Sequence, residues 1–238
     1  MLAILSLSLL MNTIGWIQMT SIDFKIMFAY GKEGVTRRML NYQNWIYMAL
    51  YLPVSPISVW VIETKGIRHS LIIGLILQLI GFIVRIFINY EFLTLLIGQT
   101  FLALGQPFIF NLPSKFSAMW FPKRERVAAT MVAYNSAILG FIVGFYLTQG
   151  VVYRDITKPD DQSMKKTMNS IRYEILLLTL MMAVIELIIL MLALFYFKVN
   201  DELGRLKSNS TVEAWSEYDK LSDHDTHKQT MSNLRSTS

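Results

Sequence analysis

The sequence has 238 residues, of which 53% are hydrophobic and 16% are charged, with a net charge of +5 and a mean hydropathy of +0.41. This composition is too apolar for an ordinary water-soluble domain, and the positive charge lies between apolar blocks, which argues against a nucleic-acid partner. The lack of cysteine excludes a disulfide framework, a thiolate metal site and a cysteine nucleophile.

The apolar residues fall into six blocks, each long enough to cross a hydrocarbon core of ~30 Å as a helix that rises ~1.5 Å per residue. The predicted spans are residues 1–22, 45–62, 71–88, 92–112, 127–149 and 173–197. The sequence therefore predicts an all-α, multi-pass integral membrane protein with a bundle over residues 1–198. Residues 199–238 are rich in Ser, Thr, Asp and Lys, and we expect them to form a disordered polar tail.

The first two spans carry aromatic residues deep in their apolar runs. The first span has Trp16 and lacks both a basic start and a small-residue cleavage site, which favours a membrane helix over a signal peptide. The second span has Tyr47 and Tyr51, and its Pro53 and Pro56 are tolerated in membrane helices. Two interpretations of the aromatic residues are open: a shared cavity that attracts an organic cation, or simple packing.

The third and fourth spans carry polar residues. Arg85 lies near the end of the third span, where its side chain is expected to snorkel to the membrane interface. On the fourth span Gln99 and Gln106 are seven residues apart, which is two helical turns and places both amides on one face. This stripe predicts hydrogen bonding either to a substrate or to a neighbouring helix.

The fifth and sixth spans carry different kinds of residue. The fifth carries a stripe of small residues, Ala133, Ala137, Gly140 and Gly144, which predicts close approach of two helix backbones. The sixth carries Glu186 near its middle, and a carboxyl group in hydrocarbon is costly without a partner. This residue is either a proton or cation site, or a carboxyl that is protonated or paired with a neighbouring helix.

The sequence contains no motif of soluble catalysis, neither a phosphate-binding loop nor a dinucleotide fingerprint nor a nucleophile elbow. The paired histidines His224 and His227 lie in the predicted tail, where nothing would fix the geometry of metal ligands. We therefore predict that the chain is not an enzyme and holds neither a metal nor a cofactor.

A resemblance to a known family rests on the fourth span and the loop that follows it. Residues 98–115 read GQTFLALGQPFIFNLPSK and residues 117–122 read SAMWFP. These stretches resemble the major facilitator transporters of the feline leukaemia virus subgroup C receptor family, solute carrier family 49. Further matches over about residues 12–150 are WIQ at 16–18, Trp45, YLP at 51–53 and TKGIR at 64–68.

The resemblance implies a fold of twelve helices, six in each half, that moves choline, ethanolamine or similar amines, with haem also proposed. It places the family's substrate tryptophan at Trp16 and its substrate glutamine at Gln106. It also implies that the turns at 63–68 and 114–126 are cytoplasmic, an orientation that the count of positive loop charges leaves tied. The chain departs from the family at Asn44, where an acidic residue is expected, and in ending after six helices.

Together these observations predict a transporter of a small organic solute, an amine such as choline or ethanolamine or else haem, that works by alternating access. The expected substrate-binding residues are Trp16, Gln106, Gln99, Tyr51 and Glu186. The expected partners are the lipid bilayer, with the plasma membrane favoured, and a second six-helix half or a second copy of the chain. The alternative is a non-transporting half-carrier fragment or a membrane scaffold or accessory protein.

Overall fold

The computed structural model describes residues 1–31, 35–152 and 165–195, and these residues contain helices and turns but no strand. The helices are α1 (Leu2–Thr20), α2 (Asp23–Tyr30), α3 (Arg37–Thr64), α4 (Ile67–Arg85), α5 (Leu93–Phe110), α6 (Leu112–Trp120), α7 (Arg126–Val151) and α8 (Lys165–Phe195). A short 3₁₀ helix, Ile86–Asn89, continues α4. The predicted polar tail, residues 199–238, lies outside the described residues.

Six helical segments are long and apolar enough to cross a membrane, and each overlaps one predicted span. They are Leu2–Thr20, Arg37–Thr64, Ile67–Asn89, Leu93–Trp120, Arg126–Val151 and Lys165–Phe195. The prediction of six transmembrane helices is confirmed. Several of these helices extend beyond the apolar runs, because hydrogen bonding along the backbone continues into polar residues until a turn stops it.

The short helix α2 lies in the polar segment between the first two spans, where the sequence predicted only a loop. It presents Ile26, Ala29 and Tyr30 to the interior, at the spacing of one helix face. The Tyr30 hydroxyl donates to Asn89 Oδ1 at 2.5 Å, and Arg172 Nη2 donates to the Ala29 carbonyl oxygen at 2.8 Å. Helix α2 thus joins one end of α4 to one end of α8, and we call this end of the bundle the α2 end.

Helices α1 and α7 pack through the small-residue stripe that the sequence predicted on the fifth span. A Cβ atom added to Gly140 would lie 2.6 Å from the Leu10 carbonyl oxygen, and one added to Gly144 would lie 2.6 Å from Ile17 Cγ2. Real Cβ atoms do not approach other heavy atoms this closely. The stripe is therefore a packing surface that brings the two helix backbones into contact.

Helices α4 and α5 pack through two pairs of facing glycines. A Cβ atom on Gly81 would lie 2.7 Å from the Gly98 carbonyl oxygen, and one on Gly98 would lie 2.7 Å from the Gly81 carbonyl oxygen. In the second pair, a Cβ atom on Gly105 would lie 2.8 Å from the Gly74 carbonyl oxygen. The pairs are two helical turns apart, so the backbones touch along that length.

Gly66 forms the turn between α3 and α4 with φ of +86° and ψ of 171°, a conformation that side chains of L-residues disfavour. We predict that Gly66→Ala lowers the free energy of unfolding in detergent by about 1–3 kcal/mol. Gly31→Ala is the control, because Gly31 has φ of −58° and no atom of the described residues lies within 4 Å of an added Cβ. Equal stability losses in the two variants would contradict the assignment of strain to Gly66.

Candidate functional site

A cavity of about 440 Å³ opens between helices α1, α3 and α5, and we call it the aromatic cavity. Its lining residues are Trp16, Tyr47, Met48, Tyr51, Leu52, Gln106 and Phe110. Four of these side chains are aromatic, and none of the seven carries a formal charge. The volume is within the range of ~300–1,000 Å³ that small-molecule sites occupy.

The helix repeat explains why these residues meet. On α3, Tyr47 and Tyr51 are one turn apart, so both point to the same side of the helix. On α5, Gln106 and Phe110 are also one turn apart. Trp16 of α1 completes the wall, so one face of each of the three helices lines the cavity.

Trp16 and Tyr47 form a stacked pair, with ring centroids 5.3 Å apart and an angle of 6° between the planes. Phe141 of α7 packs on the indole at 61° with a centroid distance of 5.3 Å. Asn12 contacts the Tyr47 hydroxyl twice. The side-chain Nδ2 of Asn12 donates to that hydroxyl at 3.4 Å, and the backbone carbonyl oxygen of Asn12 accepts from it at 3.4 Å. These contacts fix the position of both rings in the cavity wall.

Tyr51 is held by Asn111, a polar residue at the break between α5 and α6. Its hydroxyl donates to Asn111 Oδ1 at 3.1 Å, and Asn111 Nδ2 donates to Ser55 Oγ at 3.1 Å and to Ser58 Oγ at 2.6 Å. Pro113 sits in the first turn of α6, directly after this break. The interruption of the fourth span therefore supplies the anchor for a cavity residue.

Gln106 is the only one of the seven lining residues that has a side-chain amide. Its Oε1 atom is buried and accepts no hydrogen bond from any part of the chain that the structure describes. An amide oxygen of this kind can accept from a hydroxyl or an ammonium group. The cavity thus combines aromatic surfaces with the amide of Gln106, whose oxygen has no hydrogen-bond partner among the described residues.

The structure brings three of the five predicted site residues into one cavity: Trp16, Tyr51 and Gln106. Gln99 and Glu186 do not line it, although both are fully buried in the bundle. Gln99 lies two turns from Gln106 on α5, while the cavity extends along only about one turn of that helix. Neither amide atom of Gln99 has a hydrogen-bond partner among the described residues.

Arg85 does not extend to the surface of the bundle, so the prediction that it snorkels is wrong. Its side chain is fully buried, and Nη1 donates to the Gly15 carbonyl oxygen at 3.0 Å. The guanidinium carbon lies 5.8 Å from the centroid of the Phe82 ring. A Cβ atom on Gly98 would lie 2.6 Å from Arg85 Cγ, so the glycine on α5 leaves the space that the arginine fills.

Phe110, Met48 and Leu52 line the cavity but were not predicted to do so, and no role was predicted for Asn12. The spacing of Phe110 from Gln106, one helical turn, is a signal that was available in the sequence. Asn12 was visible as a polar residue within an apolar span, but its partner Tyr47 lies on another helix. The pairing of these two residues depends on helix rotation, which the sequence does not reveal.

A second cavity, of about 330 Å³, lies at the α2 end of the bundle and includes Asp23 and Arg37 in its lining. Gln43 Nε2 donates to Asp23 Oδ1 at 3.1 Å. Burial raises the pKa of Asp23 from its ordinary 3.8 to about 6, although the charge of Arg37 and the hydrogen bond from Gln43 act in the opposite direction. Asp23 therefore changes charge near neutral pH.

This raised pKa predicts a pH-dependent stability. The folded state binds the Asp23 proton more tightly than the unfolded chain, so stability present at low pH is lost as pH rises from 3.8 through about 6. We predict that Asp23→Asn removes this loss, measured as the melting temperature in detergent over that range. Glu91→Gln, at an exposed position at the same end, is the control and should keep the wild-type pH dependence.

The family model of the Major Facilitator Superfamily matches residues 1–224. This chain belongs to the Major Facilitator Superfamily. The match extends over nearly all of the sequence and includes each of the helices that border the aromatic cavity.

Curated facilitator relatives confirm the resemblance to solute carrier family 49. The choline/ethanolamine transporter FLVCR1 of Mus musculus is 31% identical over 148 residues, which cover 61% of this chain and 26% of that protein. The choline/ethanolamine transporter FLVCR2 of Homo sapiens is 29% identical over 136 residues, 56% of this chain and 25% of that protein. Solute carrier family 49 member A3 of Xenopus tropicalis is 28% identical over 127 residues, 49% of this chain and 26% of that protein. The chain spans about a quarter of the length of these relatives.

Among solved structures, the E. coli fucose:proton symporter FucP matches the fold with a TM-score of 0.57 at 13% sequence identity. The match covers 81% of this chain and 48% of FucP. At this identity the likeness concerns the fold alone. It confirms the prediction that the six helices resemble one half of a major facilitator.

Proposed function

We propose that this chain takes part in the transport of a small organic cation of the choline or ethanolamine class across a membrane. Membership of the Major Facilitator Superfamily supports transport as the general activity. The single observation that favours this class of solute is the uncharged aromatic cavity with its one free amide acceptor.

The chemistry of the cavity suits such a cation. A quaternary ammonium group donates no hydrogen bond, and it is attracted to the electron-rich faces of aromatic rings. The hydroxyl that choline and ethanolamine share can donate to Gln106 Oε1, which has no other partner among the described residues. The names of the two FLVCR relatives, choline/ethanolamine transporters, support the same class.

Haem, the other solute that the resemblance implies, has weaker support. The seven lining residues include no histidine, which is a common axial ligand of haem iron. The two FLVCR relatives are named for choline and ethanolamine. We therefore choose choline as the ligand for testing.

The proposed mechanism is alternating access, in which two halves rock about a site between them near the middle of the membrane. This chain supplies one wall of that site from α1, α3 and α5. A second six-helix half, from another chain or a second copy, supplies the other wall. We further propose that the protein lies in the plasma membrane with the α3–α4 turn and the α6–α7 connection facing the cytoplasm. The loop predicted at 114–126 is wrong over its first half, because residues 112–120 form α6 and only residues 121–125 connect it to α7.

The test begins with equilibrium binding of labelled choline to the purified chain in detergent. We expect saturable binding that tetramethylammonium reduces. The neutral isostere 3,3-dimethylbutan-1-ol keeps the shape and hydroxyl of choline but lacks the charge, so it should compete at least about tenfold more weakly, the equivalent of ~1.4 kcal/mol. A chain that binds the isostere as well as choline contradicts recognition of a cation.

Uptake of labelled choline into vesicles separates transport from the alternative. Uptake by vesicles that hold this chain, alone or with a second half, supports a carrier. If the chain binds choline but neither preparation takes choline up, the chain is a half-carrier or membrane scaffold that retains the site. A lack of binding rejects the aromatic cavity as a choline site.

The amide of Gln106 gives a sharper prediction. Gln106→Leu removes the acceptor for the choline hydroxyl but leaves the aromatic rings, so choline should bind about threefold to tenfold more weakly, from the ~0.5–1.5 kcal/mol of a typical hydrogen bond. Tetramethylammonium has no hydroxyl, so its affinity should not change. An equal loss for both ligands would indicate general damage to the cavity.

A further inference from the structure

The cavity at the α2 end of the bundle, which we call the α2-end cavity, holds two side chains of opposite charge. Its volume is about 330 Å³, and its lining residues are Thr20, Ser21, Asp23, Phe24, Met27, Arg37 and Leu40. None of these residues lines the aromatic cavity. A ligand in the α2-end cavity therefore does not depend on the proposed function.

The two charges in the α2-end cavity do not neutralise each other by direct contact. Among the described residues, the Asp23 carboxyl group accepts one hydrogen bond, from Gln43 Nε2 at 3.1 Å. The exposed Arg37 side chain has neither a hydrogen-bond partner nor an ion-pair partner in the part of the chain that the structure describes. A carboxylate and a guanidinium that share one cavity without pairing suit a ligand that carries both signs of charge.

The N-terminus of α3 favours the anionic part of such a ligand beside Arg37. Arg37 and Arg38 are the first two residues of α3, whose first turn contains no acidic residue, and the N-cap Thr36 makes no side-chain capping bond. The backbone N–H groups at this helix end carry a partial positive charge that adds to the charge of the two guanidinium groups. A phosphate group would compensate both, and arginine can hold phosphate through two parallel N–H donors.

Helix α2 supplies the complementary surface for an ammonium group. The Asp23 carboxylate provides negative charge, and the Phe24 ring, with 69% of its surface exposed, provides an aromatic face in the same lining. Lys25, the other charged residue of α2, is directed elsewhere, because its Nζ donates to the Val152 carbonyl oxygen. The α2 side of the cavity is therefore the side for a cation.

The α2-end cavity lies where the membrane helices end, at the depth of lipid headgroups. Asp23 follows the first membrane span, which ends at Thr20, and Arg37 lies in the first turn of α3, outside the apolar run at 45–62. Charged groups at the ends of membrane helices lie in the headgroup layer rather than in the hydrocarbon. Both a phospholipid headgroup and a water-soluble molecule can reach this depth.

We propose that the α2-end cavity binds a zwitterion in which a phosphate ester is joined to an ammonium group, with the phosphate at Arg37 and the ammonium at Asp23. Phosphocholine and phosphoethanolamine carry this pair of charges, both as free molecules and as the headgroups of phospholipids. Phe24, Met27 and Leu40 give the cavity an apolar side for the carbon atoms of the ligand.

Calorimetric titration of phosphocholine into the full chain, purified in a detergent without a phosphocholine headgroup, tests the site. The titration is made at about pH 8, because the pKa of Asp23 is raised to about 6 and its carboxyl group must be ionised. Glycerol 3-phosphate carries the same phosphate but no ammonium group, so it should bind about tenfold more weakly. Repeated in the Trp16→Ala background, the titration reports on the α2-end cavity apart from the aromatic cavity.

Two variants should give different patterns of loss. Arg37→Gln should weaken phosphocholine and glycerol 3-phosphate alike, by about tenfold or more, because it removes charged hydrogen bonds to phosphate. Asp23→Asn should weaken only phosphocholine, so that the two ligands bind this variant equally. Arg38→Gln is the matched control, since it removes the same charge from the same helix end but not from the cavity lining, and it should cost less than about threefold.

Native mass spectrometry of the purified chain separates the two sources of the zwitterion. If the ligand is a lipid, the chain should retain phosphatidylethanolamine or phosphatidylcholine in preference to phosphatidylglycerol, and Arg37→Gln and Asp23→Asn should both lose this preference. Binding of phosphocholine without such retention supports the site with a water-soluble ligand.

Three results would overturn the proposal. They are a lack of binding by both phosphocholine and the zwitterionic lipids, equal affinity of the wild-type chain for phosphocholine and glycerol 3-phosphate, and an affinity for phosphocholine that neither Arg37→Gln nor Asp23→Asn changes. A chain that binds phosphocholine in this pattern but fails to bind choline rejects the proposed function and supports the α2-end site.

Discussion

Replacing Trp16 with alanine is expected to weaken choline binding to the purified chain by at least about tenfold. The substitution removes an aromatic surface, which contributes ~0.5–2 kcal/mol to cation binding, and it ends the stacking that positions Tyr47, a contact of ~0.5–1.5 kcal/mol. Together the two losses amount to ~1–3.5 kcal/mol, and ~1.4 kcal/mol is a factor of ten in affinity. Equilibrium binding of labelled choline in detergent measures it.

Trp45→Ala provides the matched control for this prediction. Trp45 lies on α3 with 69% of its surface exposed and does not line the cavity. Its removal should leave choline affinity unchanged, whereas Trp16→Phe should retain part of the binding because an aromatic face remains. If Trp16→Ala binds choline as tightly as Trp45→Ala does, the aromatic cavity is not the cation site.

Alanine at Gly81 or Gly98 is expected to destabilise the bundle strongly. The new Cβ atom would lie 2.7 Å from a backbone carbonyl oxygen of the facing helix, and backbone cannot move aside as a flexible side chain can. Overpacking of this kind costs about 1–3 kcal/mol or more. The loss should appear as a lower melting temperature in detergent, followed by circular dichroism.

Gly150→Ala is the control for the glycine contacts. Gly150 lies within α7, and an added Cβ atom there would meet no atom within 4 Å in the part of the chain that the structure describes. Because alanine favours helix over glycine by ~1 kcal/mol, this variant should be as stable as the wild type or more so. A melting temperature for Gly81→Ala that equals that of Gly150→Ala would show that α4 and α5 have room to separate.

The six spans could be predicted from hydropathy because lipid leaves a backbone few alternatives to a long, internally hydrogen-bonded helix. The same reasoning missed α2, since a short helix that buries Ile26, Ala29 and Tyr30 at the end of the bundle needs no long apolar run. Hydropathy also placed the start of the second span well inside α3, which begins at Arg37. Helical turns made of polar residues outside the hydrocarbon cannot be detected by counting apolar residues.

The cavity was predicted in part, through Trp16, Tyr51 and Gln106. The residues that fix it could not be paired from the sequence, because Asn12 and Tyr47 are 35 positions apart and meet only through the rotation of two helices. Arg85 was misplaced for a related reason. Its burial depends on the space that Gly98 leaves on a facing helix, and a single sequence does not say which residues face each other.

Close contacts at glycines join four of the described helices in two pairs, α4 with α5 and α1 with α7. The backbones approach so closely at these glycines that there is no room even for a methyl group between them. Gln106 and Arg85 are therefore carried together on one pair, while Trp16 is carried on the other. The aromatic cavity lies where α1 and α5, one helix from each pair, meet α3. A small change in the angle between the pairs would therefore widen or narrow the cavity without any rearrangement inside a pair.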